Sequence, residues 1–128
     1  MIAIAGEIVG RGWNAPLARH DPTAHAEIVA IRDACARLGA YTLQGCTMYT
    51  SAESCPMCLA AILWARMDAI VYAADRAQMA QIGFDDAAFY VEVCKPVGAR
   101  TIPESRLLAE ESVAVLHAWA AKPDRVVY

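Results

Sequence analysis

The sequence predicts an α/β fold, with helices layered on a mixed β-sheet. Three observations carry that expectation. The runs CTMYTS and AIVYAA are short, apolar and bounded by turn-forming or polar residues, as buried strands are. Other segments show helical spacing with recognisable starts and stops. The two element types alternate along the chain, which is the pattern of a layered α/β domain.

Taken in order, MIAI and EIVGRGW flank Ala5-Gly6 and read as a short hairpin. NAPLARHDP has the Asn and Pro of a loop. Asp21 reads as an N-cap with Pro22 at the first helical position, where a missing N–H does no harm. The helix they open places Ile28, Ile31, Ala34, Cys35 and Leu38 at three-to-four spacing, and Gly39 suits its stop. After the strand CTMYTS, Ser54 is the expected cap of a helix whose run from Leu59 to Trp64 is apolar on every side. AIVYAA is the next strand. A short helix around Asp75 to Gln81 and the loop GFDDAAFY follow. CKPVGARTIPE reads as an extended connector, residues from about 108 to 121 as a last amphipathic helix, and KPDRVVY as a tail.

Bulk properties narrow the function. A chain of 128 residues suits one domain, here 1–128 with a C-terminal segment from about residue 104. Its apolar fraction is 58%, yet its longest apolar stretches fall far short of a membrane span. The first ten residues lack the basic start and long apolar core of a secretory signal. The apolar excess therefore points to a subunit interface or to a missing layer of the fold, and a homodimer is expected. Five cysteines, an odd number without an export signal, argue against a disulfide framework and for a reducing, cytoplasmic setting. A net charge of −3 and a pI near 5.5 argue against nucleic acid as the partner.

Chemistry concentrates at Cys55 and Cys58. Two cysteines three apart at a helix start suit a structural zinc knot, a redox pair or part of a catalytic metal site. The pair alone does not choose among them. His20 and His117 lack ligand spacing and read as surface or packing residues. His25 stands at another helix start and is followed by Glu27. Taken alone HAE is common, but together with the cysteine pair it completes a site of two thiolates and one imidazole with one open position. That is the pattern of catalytic zinc, which acidifies a water toward neutral pH. Glu27, near the metal but off it, then suits proton transfer.

HAE with CPMC resembles the zinc-dependent cytidine and deoxycytidylate deaminase superfamily. Within it, DPTAHAEIVAIRDACARLGAY, GFDD, KPVGARTIP and the final Tyr128 are similar to the bacterial guanine deaminases. The resemblance implies a three-layer α/β/α sandwich with a mixed central sheet, Zn²⁺ as cofactor, and a free purine as substrate, guanine giving xanthine and ammonia. It makes His25, Cys55 and Cys58 the metal ligands, Glu27 the proton shuttle, and Asn14, Asp86 and Tyr128 substrate contacts. It also implies a C-terminal segment exchanged between subunits. Each contact has a plainer reading: Asn14 as a loop stabiliser, Asp86 as a cap, Tyr128 as a frayed tail. Glu53 fits a local structural role, while Trp13, Trp64 and Trp119 fit packing or an interface. The family pattern departs at three places. Ser54 stands where a proline is usual, Ala52 where a cysteine is frequent, and the chain opens almost on its first strand, without the family's N-terminal helix. Guanosine deamination, tRNA adenosine deamination and a non-catalytic zinc-stabilised module are the alternatives.

Overall fold

A computed structural model describes residues 1–84 and 86–127. Strands β1 (Ile2–Ile4) and β2 (Glu7–Gly10) form the expected antiparallel hairpin. Its turn residues Ala5 and Gly6 both have positive φ, 49° and 85°, the geometry that follows the twist of paired strands. On its other edge β1 pairs antiparallel with β3 (Thr47–Ala52), which pairs parallel with β4 (Ala69–Ala74). The sheet order is β2-β1-β3-β4, a mixed sheet. A parallel pair needs a crossover, and α3 (Pro56–Trp64) supplies it.

Helix α2 (Ala26–Leu38) packs against the hairpin and ends at Gly39 in the left-handed region, as its sequence predicts. Its buried residues are Glu27, Val29, Ala30 and Ala34, with Ile31 and Cys35 half-buried against the core and Leu38 exposed. Of the expected face, Ala34 is buried and Ile31 and Cys35 pack against the core, while Leu38 falls outside it. Ala26 and Ala30 come nearest the hairpin, where helix and strand meet backbone to backbone. A Cβ at Gly10 would lie 2.6 Å from the Ala30 carbonyl oxygen, and one at Gly12 2.1 Å from that of Ala26. Only glycine permits such an approach. The core fills the space between sheet and helices with Ile2, Met48, Leu43, Cys46, Ala30, Ala34 and Ile62. Each fully buried large side chain contributes roughly 1.5–3 kcal/mol.

Three local expectations are corrected. Asp21 does not cap α2, which starts later with His25 as its N-cap. The Asp21 carboxylate instead accepts from the Thr23 N–H at 2.8 Å and the Thr23 hydroxyl at 2.6 Å, closing a turn. An Asx turn and an N-cap use the same kind of side-chain bond to the backbone, so the residue type alone does not separate them. NAPLARHDP contains a short helix, α1 (Pro16–Arg19). GFDDAAFY is not all loop, because α5 (Ala87–Cys94) begins within it and packs on α3. Its aromatic and β-branched residues favour no helix by propensity; packing decides.

Helix α4 (Arg76–Ala80) has a full capping box between Asp75 and Gln78. The chain divides into two compact units, Met1–Cys94 and the residues from Lys95 on. In the second unit Arg100 donates to the Lys95 carbonyl oxygen at 3.2 Å and pairs with Glu104 at 2.8 Å. Helix α6 (Ala109–Ala120) follows, with Val113, Leu116 and Trp119 exposed. Among the described residues no helix is long and apolar enough to cross a membrane.

Candidate functional site

Two helix starts converge in the first unit. His25 is the N-cap of α2 and Cys55 the N-cap of α3, each in an extended backbone conformation that turns its side chain away from the helix it begins. Cys58 lies in the first turn of α3, fully buried, and Cys55 is also buried. The His25 Nδ1 atom lies 3.7 Å from Cys55 Sγ, and the ligand atoms of His25, Cys55 and Cys58 all lie within 4.8 Å of one another. A tetrahedral zinc ion with ordinary bond lengths separates N from S by about 3.6 Å and S from S by about 3.8 Å. The three side chains therefore fit zinc. Among the described residues they are the one such group, and it contains none of Cys35, Cys46 and Cys94.

Electrostatics match the geometry. The Cys55 thiol is pulled down to about 6, first by a hydrogen bond from Cys58, with backbone N–H donors and His25 assisting against burial. Cys58 is pushed upward by the same hydrogen bond, by burial and by the charge of Glu27. The two sulfurs therefore favour opposite protonation states, and a divalent cation bound between them would stabilise both as thiolates. Both helix N-termini add partial positive charge.

Glu27 is buried at 8% exposure, near enough for its charge to push the Cys58 thiol upward, yet outside the three-ligand group. It opens onto a cavity of about 370 Å³ shared with Gly12, Ala26 and Thr50. A second cavity, of about 630 Å³, is walled by His25, Cys55, Met57, Asp86, Phe89 and Val93. Asp86 thereby lines the same cavity as His25 and Cys55. Asn14 Oδ1 accepts from the Ala26 N–H at 2.9 Å. Asn14 so takes the stabilising role, and with its oxygen engaged it has its NH₂ donors left to offer.

Ser54 does not cap α3, since Cys55 holds that position one residue later. Its hydroxyl is buried and, among the described residues, unpartnered. Tyr128 lies outside the described residues. Sequence reasoning missed Phe89 and Tyr90. The recurrence of apolar or aromatic residues at 86 plus three, four and seven was the available signal.

Residues 1–74 match the family described as the cytidine and deoxycytidylate deaminase zinc-binding region. Over 114 residues the chain is 49% identical to guanine deaminase of Bacillus subtilis (strain 168), covering 89% of the chain and 73% of that protein. An X-ray structure of guanine deaminase from Bacillus subtilis superposes with a TM-score of 0.94 at 46% identity, covering 99% of this chain and 81% of that one. A tRNA-specific adenosine deaminase of Haemophilus influenzae is 40% identical over 87 residues, covering 64% of this chain and 50% of that protein.

Proposed function

This chain belongs to the zinc-binding cytidine and deoxycytidylate deaminase family, and from that membership we propose that it deaminates guanine hydrolytically to xanthine and ammonia. The observation that carries the reading is Glu27: a buried carboxylate beside, and not within, a three-ligand zinc site. A structural site has no use for such a group.

His25, Cys55 and Cys58 hold the zinc ion. When bound, zinc acidifies a water and so supplies a nucleophile at neutral pH. Glu27 would carry one proton from the attacking water to the purine ring nitrogen. It would carry a second, from the hydroxyl newly added to the ring carbon, to the amine, so that the C–N bond breaks and ammonia leaves. Burial keeps the carboxylate in a fixed place for both transfers. The NH₂ group of Asn14 donates to an acceptor on the purine, and Asp86 accepts from a purine N–H across the second cavity. Phe89 excludes water from that side.

The protein works as a cytoplasmic homodimer of single-domain chains that exchange the segment from about residue 104. Exposed Val113, Leu116 and Trp119 on α6, with Leu63 and Trp64 on α3, supply apolar surface for the partner copy. Sedimentation at micromolar concentration tests the dimer, and a monomer of native mass sinks it.

One assay decides the activity: ammonia release from guanine, guanosine, adenine, cytosine and tRNA by the zinc-loaded protein. Guanine should be turned over fastest. Faster release from guanosine or from tRNA adenosine moves the assignment to those substrates, and no release from any of them sinks it.

A further inference from the structure

We infer that Tyr90, backed by Arg76 and Glu53, is a positioning residue that ties the Cys55 loop to the helix walling the larger cavity; this rests on the zinc-site reading above. The Tyr90 hydroxyl donates to the Ser54 carbonyl oxygen at 2.7 Å. That carbonyl belongs to the peptide leading into Cys55, so the bond fixes the orientation of the unit that aims the Cys55 sulfur. The buried Ser54 hydroxyl takes no part, having no partner among the described residues.

Tyr90 is itself held. The Arg76 guanidinium lies over its ring, 4.3 Å from the centroid. Arg76 Nε pairs with Glu53 Oε1 at 2.9 Å, and the Arg76 backbone N–H donates to Glu53 Oε2 at 3.1 Å. Both carboxylate oxygens are thus committed, and Glu53 adjoins Ser54 in the chain. The ring of contacts is closed: Ser54 to Tyr90, Tyr90 to Arg76, Arg76 to Glu53, and Glu53 back to Ser54 through the peptide bond.

Helix geometry makes this a coupling. Successive residues on a helix point about 100° apart. Phe89 and Val93, one turn apart on α5, line the cavity beside His25 and Cys55. Tyr90 turns to the neighbouring face and grips the metal loop. The cavity wall and the Cys55 peptide therefore hold one position relative to each other. Partners that orient metal ligands typically change metal affinity or activity about 10–100-fold when removed.

The test is Tyr90→Phe, which keeps the ring and the Arg76 stack and removes only the donor. Zinc affinity measured by chelator competition should fall about 10-fold or more. The thiolate-to-cobalt absorption of the Co²⁺-loaded protein should shift, and guanine turnover should fall through kcat more than through KM. Wild-type affinity with a wild-type cobalt spectrum overturns the inference. Arg76→Ala guards against misfolding of the first variant: it should weaken zinc in the same direction, and unchanged affinity overturns the clamp equally. A wild-type protein that binds zinc without deaminating guanine sinks the assigned substrate, while the two metal readouts still decide Tyr90. A wild-type protein that binds neither zinc nor cobalt sinks both.

Discussion

The Asn14 side-chain oxygen accepts the Ala26 backbone N–H at 2.9 Å, across twelve residues of sequence. Ala26 is the first residue of α2, whose N-cap His25 makes no capping bond with its own side chain. Asn14 therefore does a cap's work from a distance and leaves the His25 ring available to a metal. Asn14→Ala should lower stability by about 1 kcal/mol and raise KM for guanine. Asn14→Asp keeps the acceptor and loses the NH₂ donors. Its melting temperature should stay near wild type while KM rises, and an unchanged KM would remove Asn14 from the substrate site.

Gly12→Ala should damage both fold and site, because its Cβ would stand 2.1 Å from the Ala26 carbonyl oxygen. Forced overpacking of this kind costs about 1–3 kcal/mol. The displaced start of α2 carries His25, so zinc affinity should drop as well. Gly6→Ala is the control. Gly6 has φ 85° with open space around it, so strain should lower stability while zinc affinity holds. Denaturant melts and chelator competition on both variants separate the two outcomes.

Glu27→Gln should retain zinc and lose turnover by about 10²–10⁴-fold, since an amide shuttles no proton. Cys55→Ala should lose metal and stability together. Metal analysis beside steady-state kinetics checks the split, and full activity in Glu27→Gln would move the shuttle to another group.

Acid should loosen the approach to His25. Asp21 is held below its ordinary 3.8 chiefly by hydrogen bonds from Thr23, and Asp33 below 3.8 by Arg37 and the Arg11 N–H. A carboxyl group with a depressed folded value adds stability that is whole above the unfolded value. That stability is lost as pH falls through the folded value. The loss should therefore begin near pH 4 and deepen below it. In Asp21→Asn with Asp33→Asn the melting temperature should depend less on pH in that range, and an undiminished slope would assign acid loss to other groups.

The chemical centre was legible because its signals are local. HAE and CPMC each fit within one turn, and a helix start states itself in a few residues. Strands β3 and β4 were legible as short apolar runs. What was not legible depends on partners far off in the chain. Helix α5 reads as loop because AAFYVEVC mixes helix-favouring Ala87, Ala88 and Glu92 with aromatic and β-branched residues that do not favour one, and packing on α3 decides it. The Tyr90–Ser54 bond spans 36 residues and has no sequence signature. Asp21 shows the converse: its own local bond imitates a cap and displaces the apparent helix start toward the N-terminus. The apolar spacing of α2 was legible, with Ile31, Ala34 and Cys35 reaching the core and only Leu38 left outside it. What the spacing does not show is the close approach at Ala26 and Ala30, which Gly10 on β2 and Gly12 just beyond it permit.

His25 and Cys55 are both N-caps, 30 residues apart, and neither belongs to the helix it begins. An ion shared by them is therefore a crosslink between two helix starts, closing a loop in the chain as a disulfide would. For a loop of this length the chain-entropy estimate for a covalent bridge is about 3–4 kcal/mol. All five cysteines are free thiols, so the metal is the chain's only prospective staple among the described residues. Depletion of zinc then reaches beyond catalysis, to whether the two helices keep their places at all.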